Sequence, residues 1–114
     1  MEIIVEKERI VSLLNDTMLL KDDDDDYLFT VVFHEKTISV EYHRVLYGII
    51  EEGRIMNDKS FVNVSFPYIS IRIWEPKELL EFLSEMKSDC VKIRVNTDAI
   101  WCDSIGEIFF PVDD

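Results

Sequence analysis

The stretch YLFTVVFHEKTISVEYHR, from Tyr27 to Arg44, decides how this chain is read. Tyr27 to Phe33 and Thr37 to Arg44 both alternate, which is the period of a half-buried strand, and His34-Glu35-Lys36-Thr37 lies between them. Paired antiparallel, Phe33 faces Ile38, Val31 faces Val40 and Phe29 faces Tyr42, so three apolar pairs share one face. The other face receives His34 with Thr37, Val32 with Ser39, Thr30 with Glu41 and Leu28 with His43. A slip of one residue would mix the two faces, so the pattern predicts a hairpin in this register. A two-residue Glu-Lys turn lacks the Gly or Asn that tight turns favour, which points to a four-residue loop in the same register.

C-terminal to the hairpin, Val45 to Glu52 is expected as a third strand with Leu46 or Tyr47 inward, and Gly53 would help it turn. Asn57-Asp58-Lys59-Ser60 reads as a polar turn. Phe61 to Trp74 is rich in β-branched and aromatic residues. Its inward set is Val62, Val64 and Phe66 before Pro67, then Ile69, Ile71 and Ile73 after it. The parity switches across the proline, which predicts a bulge, a corner or a restart there. Pro76 opens a helix expected over about 76–87, because the first helical position needs no N–H. Leu79, Phe82, Leu83 and Met86 form its apolar stripe and Glu78, Glu81 and Glu85 its outer side. Cys90 to Asn96 is an expected strand with Val91, Ile93 and Val95 inward. Residues 99–102 and 105–112 read as a last pair of short strands.

N-terminal to the hairpin, Ile3 to Val5 reads as a short strand. Ile10, Leu13, Leu14 and Met18 recur at helical spacing, with Glu6 able to pair with Arg9. That helix is expected over about 6–15, ending at Asn15-Asp16. Lys21 to Asp26 is a charged loop. The expected fold is α+β: a single domain over 1–114 with a mostly antiparallel, twisted sheet of about five to seven strands and one or two helices on one face.

The 114 residues, 13.5 kDa, carry 24 Asp plus Glu against 12 Lys plus Arg, a formal net charge of −12. The hydrophobic fraction of 47% supplies ample core and excludes a disordered acidic tail. The charge argues against nucleic-acid binding, since it would repel phosphates. The acidic excess is spread over both halves of the chain, beyond the run Asp22 to Asp26. Such a field attracts cationic partners and speeds their association in a salt-dependent way.

The N-terminus has neither the basic start nor the long apolar stretch of a secretory signal, and no run is long enough to span a membrane. Cys90 and Cys102 lack metal-ligand spacing and read as reduced, buried thiols of a cytoplasmic protein. The run Asp22 to Asp26 fails as a calcium loop: counted from Asp22, Tyr27 stands where glycine belongs and Phe33 where glutamate belongs. His34 and His43 fall at opposite ends of the expected hairpin ribbon, too far apart to share an ion. No G-x-S-x-G, no phosphate-cradling glycine loop and no reactive-cysteine context occurs. No enzyme activity, metal or cofactor is therefore expected.

The leading expectation is a non-catalytic module that binds a basic protein. In size, acidity and lack of catalytic motif the chain resembles bacterial immunity proteins as a class, a likeness that carries no residues over. It implies an antitoxin whose carboxylates stand in for substrate phosphates in the cationic active site of a nuclease-type toxin. Candidate partner-binding residues are Asp22, Asp23, Asp24, Asp25 and Asp26, with Glu78, Glu81 and Glu85. Tyr68, Arg72 and Trp74 join them as the outward parity after Pro67, being residue types enriched at interface centres. The alternatives are a phage-type nucleic-acid mimic that inhibits a host defence enzyme, a small enzyme or ligand-binding domain with a pocket at His43 or Cys102, and an accessory subunit of a larger complex.

Overall fold

The computed structural model describes residues 2–20, 27–73, 75–94 and 109–111. The elements run β1 (Glu2–Glu6), α1 (Lys7–Leu20), β2 (Leu28–Leu46), β3 (Ile49–Ile55), a 3-10 turn (Asp58–Ser60), β4 (Phe61–Ile73), α2 (Pro76–Glu85), β5 (Cys90–Arg94) and β6 (Phe109–Pro111). The class is α+β, with every strand pair antiparallel. The strands divide into two sheets, ordered β1-β5-β6 and β3-β2-β4, rather than forming one. Six strands are described, within the expected five to seven, and β2 with 19 residues and β4 with 13 are the long ones.

Tyr27–Phe33 and Thr37–Arg44 fall within the single element β2, and Leu28 and Thr30 lie beside Glu41 and His43, as the expected hairpin places them. The N-terminal part of β2 pairs with β4, Phe29 with Ile73, Val31 with Ile71 and Phe33 with Ile69. The C-terminal part pairs with β3, Val40 with Ile55 through Leu46 with Ile49. Alternation sets which side chains turn inward, and the isoleucines of β4 extend the apolar face of Phe29, Val31 and Phe33. The two parts of β2 fold back on each other about Glu35. Two register shifts fall between Phe33 and Thr37, and Glu35 adopts φ 53°, a left-handed conformation. Tyr27 thereby stacks on Phe29 and meets the Tyr42 ring edge-on, while Arg44 lies 4.8 Å over the Tyr27 ring. Phe29, Val31, Phe33, Ile38 and Val40 are all buried in one core. The expected inward residues Phe29, Val31, Phe33, Ile38 and Val40 are thus together in the core.

The turn beyond β2 comes at Tyr47-Gly48, not at Gly53. Both residues have positive φ, 51° and 77°, as a two-residue primed hairpin turn requires. Tyr47 is accordingly 94% exposed, against the expectation that it or Leu46 points inward; Leu46 is 43% exposed. Gly53 lies inside β3 opposite Tyr42, whose ring occupies the space a β-carbon would need. In β4 the parity switch holds for Ile69, Ile71 and Ile73, which are buried, but Val64 is 62% exposed. The ladder to β2 passes from Phe66 opposite Glu35 to Phe61 opposite Thr37, so the intervening residues bulge from it.

α1 continues five residues beyond its expected end. Thr17 is fully buried and its hydroxyl donates to the Leu13 carbonyl at 2.7 Å, while Asp16 accepts from Asn57 Nδ2 at 2.7 Å. The polar Asn15-Asp16 pair thus sits on the outer side of a helix whose inner side keeps its period through Ile10, Leu13, Leu14 and Thr17. α2 ends at Glu85, slightly early, and Lys7 Nζ donates to the Met86 carbonyl beyond it at 2.8 Å. Leu79 and Leu83 of α2, and Val91 and Ile93 of β5, complete the core. Val95 and the strand expected at 99–102 lie outside the described residues, as does the greater part of 105–112.

Candidate functional site

The outer face of α2 carries the first group of expected partner-binding residues. Glu78, Glu81 and Glu85 are all exposed, on the side away from the buried Pro76, Leu79 and Leu83. Their three- and four-residue spacing gathers them on one strip, where they form no ion pair among the described residues. Cations elsewhere are already engaged by carboxylates: Arg9 with Glu6 at 3.3 Å, Arg44 with Glu51 and Arg54 with Glu41 at 2.8 Å, and Lys59 with Glu8 at 3.1 Å. Those pairs engage cations elsewhere, and α2 itself carries three carboxylates against the single lysine Lys77.

The aromatic and arginine candidates do not form one anchor. Tyr68 is 63% exposed and its ring packs edge-on against His34, 5.6 Å between centroids, at the bend of β2. Arg72 is half-buried and lines a separate cleft of about 530 Å³ with Leu28, Thr30, Glu41, Tyr42, His43, Glu52, Gly53 and Arg54. Within it, His43 Nδ1 lies 2.9 Å from Glu52 Oε1, alongside the Arg54–Glu41 pair. The cleft exists because β2 folds back and brings Leu28 and Thr30 beside Glu41 and His43. Its charged groups face one another, so it offers a solvated, mixed-sign surface. Trp74 and Asp22 to Asp26 lie outside the described residues.

Cys90 is a free, half-buried thiol beside a smaller groove between β1 and β4, and Cys102 lies outside the described residues. Among the described residues no group of three or more His, Cys, Asp or Glu side chains is placed to hold a metal ion. No described helix is long and apolar enough to cross a membrane.

The β2–β3 hairpin tip was not anticipated as a surface. Val45, Leu46, Tyr47, Ile49 and Ile50 are 57%, 43%, 94%, 70% and 63% exposed, forming an apolar cap at the end of the ribbon. Behind it, the cross-strand pairs Arg44–Glu51 and His43–Glu52 make a polar collar. The signal for it is in the sequence: VLYGII, residues 45–50, is an uncharged run that breaks strict alternation around a glycine. A buried strand and an exposed apolar tip share that pattern, and only the position of the turn separates them. No protein-family model, curated protein or solved structure matches this chain.

Proposed function

We propose that this protein is a non-catalytic, cytoplasmic binding module that neutralises a basic protein, in the manner of a bacterial immunity protein occluding the cationic active site of a nuclease-type toxin. The observation that carries this reading is the strip of Glu78, Glu81 and Glu85, exposed and without ion pairs among the described residues, on a chain of net charge −12. Carboxylates in such a strip repeat a charge along one line, as phosphates do, and can engage the arginines and lysines that bind a nucleic-acid backbone. The strip stands on a helix fixed by two buried leucines, so little order is lost on docking. Asp22 to Asp26 extend the anionic surface in this proposal, and Tyr68, Arg72 and Trp74 are secondary contacts.

The test is affinity capture with the full chain from its natural host. The expected result is one dominant basic protein that elutes as salt rises, and that E78K/E81K/E85K no longer retains. Capture of an acidic protein, or retention unaffected by salt and by the triple reversal, overturns the reading. Its variant, inhibition of a host defence enzyme by nucleic-acid mimicry, uses the same strip, and the identity of the captured protein separates the two.

A second reading, a small ligand-binding domain, draws support from the cleft at His43. Polar groups converge there, as ligand sites require, but they are engaged with one another. Small-molecule binding that is abolished by His43→Ala and indifferent to the α2 reversals would favour it over the first.

A further inference from the structure

We infer that the β2–β3 hairpin tip is the apolar anchor of the partner interface and inserts into a hydrophobic pocket on the same basic protein, a conclusion that rests on the binding-module reading above. Tyr47 stands at the apex with φ 51° and 94% of its surface exposed. A bulky aromatic in the left-handed region is a costly choice at a turn that Asn or Gly would fill without strain, and retained strain of this kind concentrates at functional positions. Around it, Val45, Leu46, Ile49 and Ile50 expose apolar surface on the order of several hundred Å², the scale at which patches on monomers mark contact sites.

The collar behind the cap makes insertion feasible. Arg44–Glu51, at 2.8 Å, and His43–Glu52, at 2.9 Å, satisfy one another across the ribbon. A pocket closing over the cap therefore meets a rim whose polar groups are already hydrogen-bonded, giving the apolar centre and polar rim of a protein interface. The net charge of −12 selects the occupant. It repels a second copy of this chain and an anionic membrane surface alike, and it attracts a cationic protein. A convex apolar tip on an anionic body thus fits a basic protein with a concave apolar pocket beside its cationic surface.

The test places the photo-crosslinker p-benzoylphenylalanine at Tyr47, and separately at Glu81, in the full chain expressed in its natural host. The inference expects irradiation at position 47 to yield an adduct with a basic protein. Excess unlabelled wild-type protein should suppress that adduct, and the Tyr47→Asn variant should need at least tenfold more to do so while melting no lower than wild type. Equal competition by Tyr47→Asn overturns the anchor. An adduct from position 81 alone leaves the binding-module reading standing and overturns the tip. A tip adduct with a second copy, a lipid or an acidic protein also overturns it, and no adduct at either position removes both conclusions.

Discussion

The rings of Tyr27 and Tyr42 meet edge-on at 5.9 Å between centroids, although an extended chain joining them would hold them about 50 Å apart at ~3.3 Å per residue. The fold-back that brings them together creates the aromatic cluster under Arg44, the cleft at His43 and the projecting β2–β3 ribbon. It turns at Glu35, an exposed residue at φ 53°.

Glu35 is therefore the first position at which the fold can be tested. Glycine adopts this φ freely, whereas a β-branched residue there clashes with its own backbone. Glu35→Gly should leave stability unchanged or raise it by up to about 1 kcal/mol, and Glu35→Val should lower it by about 1–2 kcal/mol. Urea unfolding of the two variants measures both, and equal stability of the two would mean that the chain bends elsewhere.

Gly53 should resist enlargement. A β-carbon there would overlap the Tyr42 ring, so Gly53→Ala should cost about 1–3 kcal/mol in place of the small gain alanine usually brings to a strand. In a Tyr42→Ala background most of that cost should vanish. The coupling read from the double-mutant cycle should reach about 1 kcal/mol or more.

Asn57 holds the 3-10 turn against α1. Its Oδ1 accepts from the Lys59 amide at 2.8 Å, and its Nδ2 donates to Ser12 Oγ at 3.0 Å and to Asp16 Oδ2 at 2.7 Å. Asn57→Ala removes all three bonds and should cost about 1–3 kcal/mol. Asn57→Asp keeps the acceptor but sets a carboxylate against Asp16, so it should be no better. Thermal unfolding of the pair discriminates loss of a cap alone from loss of the bridge.

Tyr47→Asn should stabilise the protein by about 0.5–1 kcal/mol, because asparagine tolerates the left-handed turn that tyrosine occupies under strain. Guanidinium unfolding gives the number. A destabilised variant would show that the Tyr47 ring supports the ribbon.

The helix α2 should show two opposite faces. Leu83→Ala opens a cavity in the core and should cost about 2–5 kcal/mol. Glu78→Lys, Glu81→Lys and Glu85→Lys should each stay within about 0.5 kcal/mol of wild type, or stabilise slightly by relieving repulsion. Loss of folding in the triple reversal, measured by circular dichroism, would show that the strip supports the fold itself.

What could be read from residues alone was whatever depends on near neighbours. The i, i+3, i+4 spacing of Leu79, Phe82 and Leu83 fixed the helix and left Glu78, Glu81 and Glu85 outside. Alternation marked Phe29, Val31, Phe33, Ile38, Val40, Ile69, Ile71 and Ile73 as inward, and all eight are buried. Charge arithmetic defined the kind of surface that the proposed function uses. Tertiary structure alone decided which strand lies beside which. The chain turns at Glu35 and again at Tyr47-Gly48; the second turn exposes VLYGII, and the packing sends Tyr68 and Arg72 to different surroundings. The reason is physical: a strand's period names the face that seeks burial, but any apolar strand in reach can satisfy it. The partner is selected by the packing of the whole core, through contacts between residues far apart in the chain.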